Sequence, residues 1–388
     1  MYKVSSDIVI LHDCAFNKRN GDAYIIDKCV KSLLLDAEFD KKIRDPKRAK
    51  DLKYLIVNGI VVDDSFDESK EIFHIQWHLL NSCNLECKHC YDWKEKINTL
   101  TFGQMCKVVD DFVFFLKKID FNGEISITGG EPTLFEHLPE LIKYIKSRDV
   151  HISLFILSNG LAFSDTLIKI LREYDIGVQV SLDGMQHTHD AIRGKGSFSK
   201  VSKTMELLKT NGVNVGIHYV IMKRNISEVE SFVYEMDKRG MDRINFSTLV
   251  PIGPGASENM ATCDEMKKCM ERIVELQKTV NISIIGQRPL WAILGYDGVC
   301  PIGYRTLTID AKGDFLPCRR LPIRLGNVLE DSWFDIWFNN EILRKMRDRE
   351  NNLSKCGNCS FLHKCSGCRA IAYAMHGDPF GPDDYCWL

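Results

Sequence analysis

The chain has 388 residues, 45% hydrophobic and 27% charged, with a formal net charge of −2. That suits one large domain, or a barrel with appendages, around a substantial core. The near-neutral balance gives no general attraction to nucleic acid or anionic membrane, and no apolar run is long enough to span a bilayer.

The polar start Met1–Asp7 carries no targeting signal, so a cytoplasmic protein is expected. Cysteine is the outlier, at 15 residues, with three at 83–90 and seven at 300–386. Without a secretory signal, such clustering points to metal ligands in preference to disulfides.

In chain order, residues 1–70 form a small α+β domain. Ile8–Leu11 and Asp22–Ile26 read as strands joined by Asn17–Gly21. Cys29–Leu35 and Ala49–Val57 read as short helices, and Gly59–Val62 as a last strand. The order resembles a small winged-helix domain, and a structural extension capping a barrel explains it equally. The basic run Lys41–Lys50 suits a solvated face or attraction of an acidic peptide.

Residues 71–255 alternate strands and helices. The strands are Phe73–Leu80, Glu124–Thr128, His151–Leu157, Gly177–Leu182, Asn214–Met222 and Arg243–Leu249. The helices are Gly103–Lys118, Leu134–Lys146, Asp165–Tyr174, Ser199–Thr210 and Ser227–Arg239. This α/β order predicts a partial (β/α)6 TIM-like barrel with its chemistry at the C-terminal strand ends. The unusual residues follow the strands: Cys83, then Gly129-Gly130-Glu131, Ser158-Asn159, Asp183-Gly184 and Pro251-Ile252-Gly253. Residues 256–299 are expected to be a linking helix and strand, and residues 300–388 a domain rich in Cys, Gly and Pro. There, Thr306–Ile309 and Phe315–Pro317 predict a hairpin turning at Gly313.

Cys83, Cys87 and Cys90 stand at C-x3-C-x2-C directly after the first strand. Three thiolates can hold three irons of a cubane and leave the fourth open for chelation. A zinc site completed by His89 or His78 is the alternative. The C-terminal cysteines are Cys300, Cys318, Cys356, Cys359, Cys365, Cys368 and Cys386. Seven ligands exceed one zinc and fall one short of two closed cubanes, which favours two iron–sulfur clusters. Cys14, Cys29, Cys106, Cys263 and Cys269 lack metal spacing and read as small buried hydrophobes.

The first cysteine motif resembles the signature of the radical S-adenosylmethionine (SAM) superfamily. The resemblance implies that Cys83, Cys87 and Cys90 hold a 4Fe–4S cluster whose open iron chelates SAM. One electron then cleaves SAM to a 5′-deoxyadenosyl radical that takes a hydrogen atom from the substrate. It further implies SAM contacts from Gly129, Gly130 and Glu131, from Ser158 and Asn159, and from Ser181 and Asp183. Arg193 would pair with the SAM carboxylate, and Leu249 would pack near the adenine.

The C-terminal cysteines resemble the SPASM domain of that superfamily, with two residues in place of the common three before Cys368. The resemblance implies one auxiliary 4Fe–4S cluster on Cys300, Cys318 and Cys368, and another on Cys356, Cys359, Cys365 and Cys386, three clusters in all. The expected activity is modification of a ribosomal precursor peptide, by crosslinking or otherwise, with the N-terminal domain capturing the leader as an added strand. The reductant would be a flavodoxin or ferredoxin.

Alternatives are formylglycine formation, as in sulfatase maturases, and a haem or quinone-cofactor pathway. The sulfatase maturases carry an Asp after the cysteine equivalent to Cys318, where this chain has Arg319. No catalytic base is assigned. Tyr91, Asp92, His218, Tyr219, Tyr304 and Arg319 are candidates to approach the substrate, and a structural role explains each equally.

Overall fold

The computed structural model describes residues 2–4, 8–11, 14–17, 23–25, 61–63, 70–91, 99–296 and 300–388. The chain divides into two compact units. One comprises Met1–Ile72, Leu116–Asn122 and Asp149–His151, and the other Phe73–Phe115, Gly123–Arg148 and Ile152–Leu388.

The first unit contains β1 (Tyr2–Val4), β2 (Ile8–Leu11), β3 (Cys14–Asn17), β4 (Ala23–Ile25) and β5 (Val61–Asp63). β1 pairs antiparallel with β5, and β2, β3 and β4 form an antiparallel meander. The expected strands at 8–11 and 22–26 are therefore separated by a third, Cys14–Asn17, too short to show an alternating pattern. The expected helices Cys29–Leu35 and Ala49–Val57, and the run Lys41–Lys50, lie outside the described residues.

A ten-stranded sheet carries the rest of the chain. Its strands are β6 (Ile72–His78), β7 (Asn122–Thr128), β8 (Ile152–Ser158), β9 (Gly177–Ser181), β10 (Val215–Ile221), β11 (Arg243–Thr248), β12 (Ser283–Ile285), β13 (Thr306–Ile309), β14 (Asp314–Leu316) and β15 (Gly326–Asn327). The order is β12-β11-β10-β9-β8-β7-β6-β13-β14-β15. The expected six strands stand side by side in chain order, and the sheet continues past both ends. β12, from the linking segment, adds parallel to β11. β13, from the cysteine-rich region, adds parallel to β6 with Thr306 opposite His74, and begins the hairpin β13–β14. The C-terminal region is thus built onto the barrel sheet.

The helices between strands cover its outer side. α1 (Phe102–Ile119) buries Met105, Val109, Phe112 and Leu116 at helical spacing. α2 (Leu138–Lys146) and α3 (Asp165–Glu173) bury Leu141, Ile145, Leu167 and Leu171. Ser164 caps α3 by accepting from Leu167 N at 3.2 Å. α4 (Gln186–Arg193), α5 (Ser197–Thr210) and α6 (Val229–Lys238) follow. α7 (Cys263–Leu276) starts with a Thr262/Glu265 capping box. α4 went unanticipated because Gln186-His-Thr-His-Asp190 is polar over most of its length. Phe73 packs edge-on against Phe115 at 5.1 Å and Trp337 at 4.7 Å, so the C-terminal region shares the barrel's core.

Strands β8, β9 and β10 alternate buried and half-buried residues along their whole length. Their buried residues are mostly aliphatic, whereas the half-buried set includes Leu157, Gln179, Ser181, His218 and Val220, which line a cavity. An open interior explains why these parallel strands are not apolar throughout.

His74 joins three adjacent strands, its ring nitrogens 2.9 Å from Thr306 Oγ1 and 3.0 Å from Ser126 Oγ. Burial, with Arg288 and Arg319 adding, lowers its pKa from 6.5 to about 4. The unfolded chain binds this proton near pH 6.5 while the folded chain refuses it, so the stabilisation is complete above 6.5 and is lost as pH falls toward 4. His74→Gln should flatten the fall in urea midpoint across that window. An unchanged slope would remove His74 from the acid response.

Candidate functional site

The C-terminal strand ends surround a cavity of about 520 Å3. Cys83, Cys87 and Cys90 all line it, together with Gly129, Gly130, Ser158, Asn159, Ser181, Arg193 and Leu249. The loop bearing the thiols is fastened to several neighbours. Glu131 N donates to Ser82 O at 2.8 Å, Lys88 N to Ile192 O at 3.1 Å, and Gly255 N to Cys90 O at 3.0 Å. Asn159 Nδ2 donates to Asn84 Oδ1 at 2.7 Å and lies 3.8 Å from Cys83 Sγ.

Gly129 and Gly130 permit the closest of these contacts. A Cβ on Gly130 would lie 2.2 Å from Ser82 O and 2.6 Å from Asn81 O, both backbone atoms. At Gly129, with φ +148°, it would lie 2.5 Å from Leu80 O. The glycines therefore bring the cysteine loop against the end of β7, a role beyond the expected approach to a ligand.

The side chains of two expected cofactor contacts lie away from the cavity wall. Glu131 is 0% exposed and absent from the cavity wall. Its Oε1 accepts from Ser158 Oγ at 2.7 Å and Thr133 Oγ1 at 2.7 Å, and its Oε2 from Asn159 N at 2.7 Å. The carboxylate clamps the end of β7 to the end of β8. Asp183, also 0% exposed, likewise lies behind the wall. It accepts from Val220 N at 2.8 Å and from Arg193 Nε at 2.5 Å. Burial opposes its ionisation, yet Arg193, then His89 and His189, hold its carboxyl below the usual range.

Arg193 is itself 9% exposed. Its Nη1 lies 3.7 Å from Cys87 Sγ and its Nη2 3.3 Å from His89 Nε2. Burial works against its charge, but Asp183 and Cys87 keep its pKa above the guanidinium norm. His89, considered as a zinc ligand, faces Asp183 at 3.3 Å, and burial lowers its pKa to about 4. Leu249, on the cavity wall, also packs against Ile192 and Met222.

Among the candidates to approach substrate, Tyr91, His218 and Arg319 line the cavity. Tyr219 is fully buried and donates to Asn225 O at 2.8 Å, the structural alternative. Tyr304 donates to Arg347 O at 3.0 Å and lines a different cleft. Asp92 lies outside the described residues. Gln179, Ser247, Thr248 and Arg320 also line the cavity without having been anticipated. Gln179 was findable, two residues before Ser181 on the same strand face.

The seven C-terminal cysteines gather in two groups. Cys356, Cys359, Cys365 and Cys386 surround one small void with Asp383. Cys300, Cys318 and Cys368 lie within electrostatic reach of Arg320, which donates to Thr248 O at 3.1 Å. Of the remaining cysteines, Cys269 is buried, whereas Cys106 and Cys263 are half-buried.

Among the described residues no three His, Cys, Asp or Glu side chains are drawn around one metal ion. A cubane requires thiolates spaced more widely around its corners, and three thiols sharing one cavity wall fit it. Among the described residues no helix is long and apolar enough to cross a membrane.

Comparison with known proteins agrees. Residues 77–234 match the radical SAM superfamily, and residues 300–360 match the SPASM iron–sulfur cluster-binding domain. The AdoMet-dependent heme synthase of Methanosarcina barkeri is 28% identical over 341 residues, 80% of this chain and 95% of that protein. The mycofactocin maturase MftC of Mycobacterium tuberculosis is 28% identical over 339 residues, 80% of this chain and 82% of that one. The crystal structure of Streptococcus suis SuiB bound to precursor peptide SuiA superposes with a TM-score of 0.67 at 18% identity, covering 100% of both chains. The strand order, the three-thiol loop and these matches lead to one assignment: the chain carries a radical SAM domain followed by a SPASM domain, which imply binding of SAM and iron–sulfur clusters.

Proposed function

We propose that this radical SAM enzyme modifies a ribosomally made precursor peptide, using three 4Fe–4S clusters. The observation that carries the reading is the full-length likeness of fold to SuiB, a protein solved with its precursor peptide, whereas the curated relatives above match 80% of the chain. The N-terminal strands Tyr2–Val4 and Ile8–Leu11 belong to short sheets of the kind that accept a leader as an added strand.

Cys83, Cys87 and Cys90 would hold a 4Fe–4S cluster, which when bound would offer an open iron to SAM and relay the cleaving electron from an external reductant such as a flavodoxin or ferredoxin. The chain's own residues orient and enclose the reactants. Arg193, aimed by Asp183, presents its guanidinium to the SAM carboxylate. Asn159 and Ser181 supply amide and hydroxyl groups for the ribose and the methionyl end, while Ser158, whose proton goes to Glu131, offers only its oxygen as an acceptor. Leu249 and Val250 form an apolar wall for the adenine. Cys300, Cys318 and Cys368 would hold one auxiliary cluster, and Cys356, Cys359, Cys365 and Cys386 the other.

The match to a heme synthase favours a second reading, in which the substrate is an iron tetrapyrrole. Anaerobic assays with SAM and dithionite separate the two. On the peptide reading, a short peptide encoded beside the gene raises 5′-deoxyadenosine and, if crosslinked, loses a pair of hydrogens by mass. Stimulation by iron coproporphyrin, with the peptide unchanged and unbound, would move the assignment to the second reading.

A further inference from the structure

Arg319 lines the cavity wall. It is half-buried and rests on the Tyr91 ring, its Cζ 5.5 Å from the centroid. Among the described residues its guanidinium meets no hydrogen-bond acceptor and no carboxylate. The other arginines of the wall are committed, Arg193 to Asp183 at 2.5 Å and Arg320 to Thr248 O at 3.1 Å. The wall acid Glu258 is committed as well, paired with Arg224 at 2.7 Å.

A guanidinium carries five N–H donors in a rigid fork matched to a carboxylate. No protein acceptor takes these donors and the Arg319 nitrogens stay open to solvent, so a carboxylate entering the cavity can bind the fork without displacing a protein partner. The Tyr91 ring lies within cation–π distance, an interaction that takes up none of the N–H donors. The neighbouring His218 does not compete for an anion. Burial, then Arg319, pushes its pKa down to about 3, and its Nε2 is 2.9 Å from Ser247 Oγ.

We propose that Arg319 anchors a carboxylate of the substrate, so that the peptide segment entering the cavity carries an Asp or Glu side chain or the peptide's own C-terminus. This rests on the peptide-modifying reading and narrows its substrate class. It also gives a physical role to the arginine that follows Cys318.

The test is binding of three probes to the reconstituted holoenzyme with SAM, by isothermal titration: acetyl-Glu-Ala amide, acetyl-Gln-Ala amide and acetyl-Gln-Ala free acid. The wild type should bind the side-chain acid, the terminal acid or both about tenfold or more tightly than the uncharged amide. The acid that is preferred identifies the source of the carboxylate. Arg319→Gln should bind all three at the amide's level, and Arg319→Lys should keep part of the preference, having charge but no fork. Iron content equal to wild type shows that the variants are loaded. If Arg319→Gln does not load, a preference undiminished in Arg319→Lys counts against the anchor.

Equal binding of acid and amide by the wild type, or a preference that survives Arg319→Gln, would overturn the proposal. So would a loss of SAM binding in Arg319→Gln with the peptide preference intact, which would hand the arginine to SAM's own carboxylate. Failure of the wild type to form 5′-deoxyadenosine would instead strike the functional reading, because probe binding is measured without turnover.

Discussion

Replacing Cys83, Cys87 and Cys90 together with alanine should abolish 5′-deoxyadenosine formation while leaving iron and sulfide for two clusters. All three thiols open onto one cavity, and the seven C-terminal cysteines form separate groups that do not share it. A thiolate-to-alanine change deletes a ligand outright, and three deletions leave nothing to hold the cluster. The C-terminal thiols are untouched, so their metal content should persist. The check is anaerobic reconstitution, iron and sulfide analysis, and mass spectrometry of the nucleoside product. Continued 5′-deoxyadenosine formation would mean that another group of cysteines carries SAM cleavage. Loss of all iron would mean that the C-terminal domain does not load independently.

Asp183→Asn should destabilise the protein by roughly 3–5 kcal/mol, because it breaks a buried ion pair and leaves its cation behind. The Arg193 guanidinium would remain 9% exposed with its carboxylate gone. Its freed side chain would also lose its aim toward the cavity, so SAM affinity should fall with stability. Asp183→Leu combined with Arg193→Met separates these effects. Removing both charges should restore most of the lost stability, since no unpaired ion is left in the interior, yet SAM binding should stay weak. Urea unfolding midpoints and SAM titrations read the two quantities separately. Recovery of SAM binding in the double variant would show that Arg193 only stabilises the fold.

Much of this protein was legible from its sequence. Cys83, Cys87 and Cys90 are close in the chain, so one loop presents all three wherever it sits. The six central strands and most of the intervening helices follow from short-range periodicity. The Gly129-Gly130 pair marks a close backbone approach whichever partner provides it.

The tertiary structure decided what depends on distant partners. Glu131 has the residue type of a ligand contact, and only the fold shows that it accepts from Ser158 and Asn159 at the neighbouring strand end and from Thr133 beside it. Asp183 is likewise turned inward by Arg193 and Val220. β13 reads as a local hairpin strand, yet it extends the barrel sheet beside β6, more than two hundred residues earlier. Sequence pattern records which residues can form a strand or donate a bond. Pairing across such separations is fixed only when the folded chain satisfies every buried polar group at once.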